Sequence, residues 1–186
     1  MMHHIRPYRI FQHLGEDTDV QLKIPTMRGT ESLTVMAIDT LLLIAVARII
    51  HAKSILELGT GLGYTALHLA QNTTADIITL DSENKPWVFC GTRWSESITT
   101  LTGSVEDINP NPVDMVFCDI NPDLELCQIC TRLAFDCKPK VIAWHDYRNA
   151  VYPAQTDNLD RLSQTHAIYH VEDTGMCFWF ADGRTL

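Results

Sequence analysis

The run Ile55-Leu56-Glu57-Leu58-Gly59-Thr60-Gly61-Leu62-Gly63 constrains the fold more than any other part of the chain. An apolar segment of strand length passes straight into a loop with glycine at every second position. Tyr64-Thr65-Ala66-Leu67-His68-Leu69-Ala70 then starts a helix. Glycine supplies the positive φ that a tight turn needs and lets a ligand lie against bare backbone. The helix start offers N–H groups that lack intrahelical partners to an anionic group. Strand, glycine turn and helix together predict an α/β fold that holds a nucleotide-like ligand.

The order of elements extends that reading. Residues 1–24 are irregular and read as an arm or a short first element. Thr30 or Ser32 can cap a helix over 36–50 that is apolar nearly all round, so it should be buried against something large. Strands are expected at 54–58, 77–80, 98–102, 113–118 and 140–144, and helices at 64–71, 124–135 and 153–164. The runs 167–171 and 176–180, joined by Glu172-Asp173-Thr174-Gly175, read as a hairpin. Alternating short strands and helices imply a Rossmann-like, doubly wound, mostly parallel sheet of seven strands, with helices on both faces and a C-terminal antiparallel hairpin. No repeat or linker interrupts it. The expectation is one domain over 1–186, with an arm and buried helix over 1–50 and the core over 51–186.

Composition excludes several partners. A formal net charge of -9, with 14 scattered Lys and Arg, argues against a nucleic-acid backbone as ligand. The apolar stretch 41–47 is far shorter than the roughly 20 residues of a membrane span. The N-terminal residues lack the apolar core and cleavage site of a signal peptide. Six cysteines without regular spacing predict reduced, mostly buried thiols in a cytoplasmic protein. Cys127-x-x-Cys130 has zinc-like spacing, but His166 and His170 would lie roughly 13 Å apart on a strand rising about 3.3 Å per residue. They cannot close one tetrahedral site with the cysteines. Residues 85–94, with Trp87 and Trp94, make a poor helix and read as core packing or as an exposed patch for a partner subunit.

In an open parallel sheet the ligand binds beyond the carboxyl ends of the strands. The polar residues there are Glu57, Asp81, Ser104, Asp119, His145 and Asp146. A dinucleotide loop reads G-x-G-x-x-G. Here the third glycine, Gly63, comes one residue early, Tyr64 stands where that pattern wants glycine, and Glu57 precedes the loop. The pattern E-x-G-x-G-x-G resembles the first motif of class I S-adenosylmethionine-dependent methyltransferases. Asp81 can accept both ribose hydroxyls of an adenosyl ligand through its two oxygens, or simply start a turn with Ser82. Gly103, Ser104 and Val105 fall where the adenine ring would rest, although Ser104 also suits a helical turn that it caps.

Residues 52–67 and the strand Val113-Asp114-Met115-Val116-Phe117-Cys118-Asp119 resemble catechol- and caffeoyl-CoA-type O-methyltransferases. That resemblance covers roughly residues 30–145. It implies a cofactor site of Glu57, Gly59, Thr60, Gly61, Gly63, Tyr64, Thr65, Asp81, Ser82, Ser104, Val105 and Asp119, with Thr65 near the methionine carboxylate. It also implies a divalent cation of the magnesium type on Asp119, His145 and Asp146 that orients the acceptor. Two departures stand at this end. Pro122 occupies the position where the family often has a lysine base, and His145-Asp146-Tyr147 replaces an Asp-Asn pair, as in sugar and macrolide O-methyltransferases. His145, with Asp119 and Asp146, is thus a catalytic candidate, as general base or metal ligand, or else a histidine capping a strand end.

The sequence therefore predicts methyl transfer from S-adenosyl-L-methionine to the oxygen of a small polar acceptor, with neither nucleic acid nor membrane as partner and a homodimer compatible with it. The alternatives are a methyltransferase-fold protein that binds the cofactor without turnover, and an NAD-dependent oxidoreductase, which Glu57 and Tyr64 disfavour.

Overall fold

A computed structural model of the chain describes residues 1–13, 20, 37–85, 87–120 and 123–184. Thr30, Ser32 and Pro122 lie outside the described residues. The elements run β1 (Met2–Ile5), α1 (Pro7–Phe11), α2 (Ala37–Ile49), β2 (Ser54–Leu58), α3 (Tyr64–Asn72), β3 (Asp76–Asp81), β4 (Ile98–Thr102) and β5 (Met115–Cys118). They continue with α4 (Leu124–Asp136), β6 (Val141–Trp144), α5 (Pro153–Leu162), β7 (Ile168–Val171) and β8 (Cys177–Phe180). The strands form one sheet in the order β1-β7-β8-β6-β5-β2-β3-β4, and β8 alone runs antiparallel to its neighbours. The hairpin folds back so that β8 lies between β6 and β7.

The sheet has eight strands rather than seven. Residues 2–5, expected to be irregular, pair in parallel with β7 in the register Met2↔Ile168 to Ile5↔Val171. A four-residue edge strand rich in histidine carries little apolar signal, and its partner lies at the other end of the chain.

Strand alternation assigns each side chain to a face. Ile55, Met115, Phe117, Val141 and Ala143 pack with α2 and α3, whereas Leu56, Leu58, Val116, Cys118, Ile142 and Trp144 pack with α4 and α5. Helix α2 buries Leu42 to Ala47 without interruption, as its all-round apolarity predicts, and it buries Asp39 as well. Cys127 and Cys130 lie on α4 and are buried, as are Cys118, Cys137 and Cys177; Cys90 is exposed and all six thiols are free. Burial raises the Cys118 and Cys177 thiols well above their usual range, which keeps them protonated and inert. The segment after β3 forms turns instead of a helix. Trp87 and Phe89 are buried there and stack at 5.8 Å, so the packing reading of this segment holds.

No helix among the described residues is long and apolar enough to cross a membrane.

Candidate functional site

Three strand ends sit side by side because their ladders run on past the strands. Gly59 N–H donates to Leu80 O (2.8 Å), Asp119 N–H to Leu58 O (2.8 Å) and His145 N–H to Cys118 O (3.1 Å). The loops leaving β2, β5 and β6 are thereby aligned along one edge. They surround a cleft of about 1370 Å³. Of the residues expected at a cofactor site, Gly59, Thr60, Gly61, Tyr64, Thr65, Asp81, Ser82, Ser104, Val105 and Asp119 line it, with His145 and Asp146 across from the loop.

Glu57 and Gly63 do not line it. Glu57 points to the face covered by α2 and α3 and is 1% exposed. Thr79 donates its hydroxyl to the Glu57 carboxyl, and Thr60 Oγ1 lies 2.6 Å from Thr79 Oγ1. With the Thr79 proton spent on Glu57, Thr60 is the donor in that second bond, so the chain ties the loop down from behind. Burial pushes Glu57 up to about 8, against the hydrogen bond from Thr79. Gly63 caps α3 at φ 84°, and a Cβ there would lie 2.6 Å from the Phe89 ring. Gly59 has φ 101°, and a Cβ there would meet the Asp119 carbonyl oxygen at 2.5 Å. Both glycines are required by packing of the protein against itself.

The loop side of the cleft is built mainly from backbone. Helix α3 begins at Gly63 with no side-chain cap, so its positive end faces the cleft. The Asp81 carboxylate, at the end of β3, takes the Gly61 N–H (2.9 Å) and the Glu83 N–H (3.1 Å). Ser104 accepts from Glu106 N–H and caps one helical turn at Val105–Asp107. It thus fills the capping role and still lines the cleft.

The opposite side is built from charged side chains. His145 Nδ1 lies 3.0 Å from Asp119 Oδ1 and 3.5 Å from Asp146 Oδ1, while Nε2 lies 3.2 Å from Asp39 Oδ2. Burial alone would lower the pKa of His145, but the bonds to Asp119, Asp146 and Asp39 override it and push it up to about 12. The ring is therefore an imidazolium among three carboxylates, and it is a donor rather than a free base. Asp146 adopts φ 63° and takes the Asn149 amide at 2.7 Å. Left-handed backbone is uncommon for a non-glycine residue, and such strain gathers at functional sites.

Asp39 escapes sequence reasoning. It sits in the first turn of α2, lines the cleft and is 1% exposed. The available signal is a lone acid inside an otherwise apolar buried helix. Tyr147, Arg148, Tyr152 and His170 complete the far wall. His170 bonds to His4 Nδ1 (3.0 Å) and to Thr174 O (3.0 Å), and it shares no site with Cys127 or Cys130. Among the described residues, the one group of three or more side chains spaced to hold a metal is Asp119, His145 and Asp146, with ligand atoms within 4.8 Å of one another.

No model of a known protein family matches the chain, and no curated protein matches it significantly. Solved structures do match. An SAH-bound methyltransferase of Podospora anserina superposes with a TM-score of 0.66 at 17% identity, over 92% of this chain and 94% of its own. An O-methyltransferase of Bacillus cereus in complex with SAH gives 0.58 at 15% identity, over 94% and 90%. The O-methyltransferase TomG of Streptomyces achromogenes, in complex with SAM and involved in tomaymycin synthesis, gives 0.56 at 22%, over 81% and 82%. The chain shares the fold of these methyltransferases.

Proposed function

We propose that the chain is an S-adenosylmethionine-dependent O-methyltransferase acting on a small polar acceptor. The observation that carries this reading is the division of one cleft into a backbone-built side and a carboxylate-built side. On the first, in this reading, Asp81 holds the ribose hydroxyls, Ser104 and Val105 the adenine, and the loop with Tyr64, Thr65 and the α3 N-terminus the methionine end, all of them lining the one cleft. When bound, the cofactor supplies an electrophilic methyl group. The protein's own work is to align the acceptor and to take its proton. The proton leaving the acceptor hydroxyl passes to the carboxylate of Asp119 or Asp146 beside it. The His145 imidazolium keeps the neighbouring carboxylate charged and in place.

The donor chemistry of Asp119, His145 and Asp146, two carboxylates and one imidazole converging within 4.8 Å, also fits a divalent cation. Bound there, it would supply a Lewis acid that lowers the pKa of the acceptor hydroxyl. The acidic chain suits a small molecule better than nucleic acid. We place the protein in the cytoplasm as one domain, with a homodimer compatible with the fold.

Calorimetric titration with S-adenosylhomocysteine and, separately, with NAD tests the cofactor assignment. We expect binding of the first alone. Binding of NAD without adenosylhomocysteine overturns the reading. An adenosylhomocysteine-release assay over a panel of small hydroxylated acceptors then identifies the substrate.

A further inference from the structure

We propose that Asp39 is a positioning residue for His145: it takes the imidazole Nε2–H, so that Nδ1 is the atom presented to a divalent transition ion held with Asp119 and Asp146. The inference rests on the reading of those three residues as a cation site and goes beyond it in two ways. It assigns a role to Asp39, and it names the class of ion.

The geometry carries the first point. The His145 ring lies between carboxylates on opposite edges, with Asp119 and Asp146 at Nδ1 and Asp39 at Nε2. A neutral imidazole has one N–H and one lone pair, and an ionised carboxylate can only accept. Both ring nitrogens donate in the protein alone, and an incoming cation displaces one proton; because Asp39 holds the Nε2–H, the proton released is the one on Nδ1, where the other two carboxylates meet and the ion would bind. Metal-ligating histidines almost always donate their second N–H to such a partner, which fixes the ring and raises its basicity. Asp39 is suited to this because it is immobilised: α2 is packed along its length, and the negative side chain lies in its first turn, where the helix dipole favours it.

A second observation points to a ligand. Asp39 Oδ1 is buried without any hydrogen-bond partner, on a residue that lines the cleft. Pairing with His145 uses only Oδ2. The remaining oxygen is an acceptor waiting for a donor, such as a water or hydroxyl brought in with an ion. The donor set then decides the ion. Oxygen-only sites suit magnesium and calcium, whereas imidazole beside carboxylates suits manganese, iron, cobalt or zinc.

The test uses the full chain stripped of metal, with Mn²⁺ and Mg²⁺ titrated by calorimetry and S-adenosylhomocysteine titrated into the same preparations. We expect Mn²⁺ to bind roughly tenfold or more tighter than Mg²⁺. Asp39→Ala should lose about ten- to a hundredfold in Mn²⁺ affinity. Asp39→Asn, whose amide oxygen still accepts from Nε2–H, should lose several-fold less than the alanine variant. Nitrogen NMR of the Zn²⁺-loaded protein should show Nδ1 of His145 ligated and Nε2 protonated. Unchanged Mn²⁺ affinity in Asp39→Ala, or ligation through Nε2, overturns the assignment of Asp39. If the alanine variant does not fold, the nitrogen spectrum of the wild-type protein decides alone, and ligation through Nε2 overturns the assignment. Wild-type protein that binds adenosylhomocysteine but not Mn²⁺ overturns this proposal alone, and protein that binds neither overturns the functional reading too.

Discussion

The two sides of the cleft solve different problems with different materials. The loop side comes from one short stretch of chain plus the ends of the next two strands, and it works through N–H groups and glycine backbone. The opposite side draws single side chains from α2, β5 and β6, and its charges are crowded onto one histidine; His145 and Asp39 are 106 residues apart. Backbone placement follows from the fold and resists substitution, whereas a side-chain cluster can be rebuilt one residue at a time. The contrast teaches that such a fold can keep one ligand while changing what that ligand acts upon.

The strongest way to break the comparison is to damage one side and look for an effect on the other. His145→Ala, which removes the group that keeps the base carboxylate charged and in place, should lower turnover about ten- to a hundredfold while leaving adenosylhomocysteine affinity within about twofold, as read by release assay and calorimetry. Equal losses in both would mean that the sides are not separable. Gly59→Ala should act on both at once. Its methyl group would meet the Asp119 carbonyl at 2.5 Å on a backbone at φ 101°, and we expect a loss of about 2–4 kcal/mol in denaturant unfolding. Asp81→Ala should weaken adenosylhomocysteine by about ten- to a hundredfold, the worth of hydrogen bonds to a charged group. Turnover at saturating cofactor should change far less.

The last test concerns Glu57, which sharpens the comparison by probing the buried support of the loop. Its pKa is raised from 4.5 to about 8 in the folded protein. The folded state therefore holds the proton where the unfolded state has lost it. Stability should fall as pH rises between about 4.5 and 8 and level off above that. Glu57→Gln cannot ionise, and it should flatten the slope of Tm across that window. An unchanged slope would assign the pH dependence to other groups.

How much of this was legible follows from where the information lies in the chain. Strands such as Ser54–Leu58 and Ile98–Thr102 announce themselves as apolar runs closed by polar residues, so the strand ends and most cleft residues follow. The glycine pattern states that the chain turns, but it does not say that Gly59 and Gly63 serve Asp119 and Phe89. Glu57 reads as a ligand residue because its position in the motif is visible and its burial is not. Asp39 was hidden for the opposite reason: a helix read by its apolarity turns its one acid into an interruption. The edge strand β1 was missed because four residues with two imidazoles carry no alternation strong enough to stand against an irregular reading.

That edge strand has a consequence for how the molecule assembles. Its residues leave the ribosome before every other strand of the sheet, yet their partners are residues 168–171. A contact of such long sequence separation closes a large loop and is reached late in folding. Until β7 has formed, β1 has no strand to pair with and must wait unpaired. Strand β1 thus depends for its place on an element formed far along the chain.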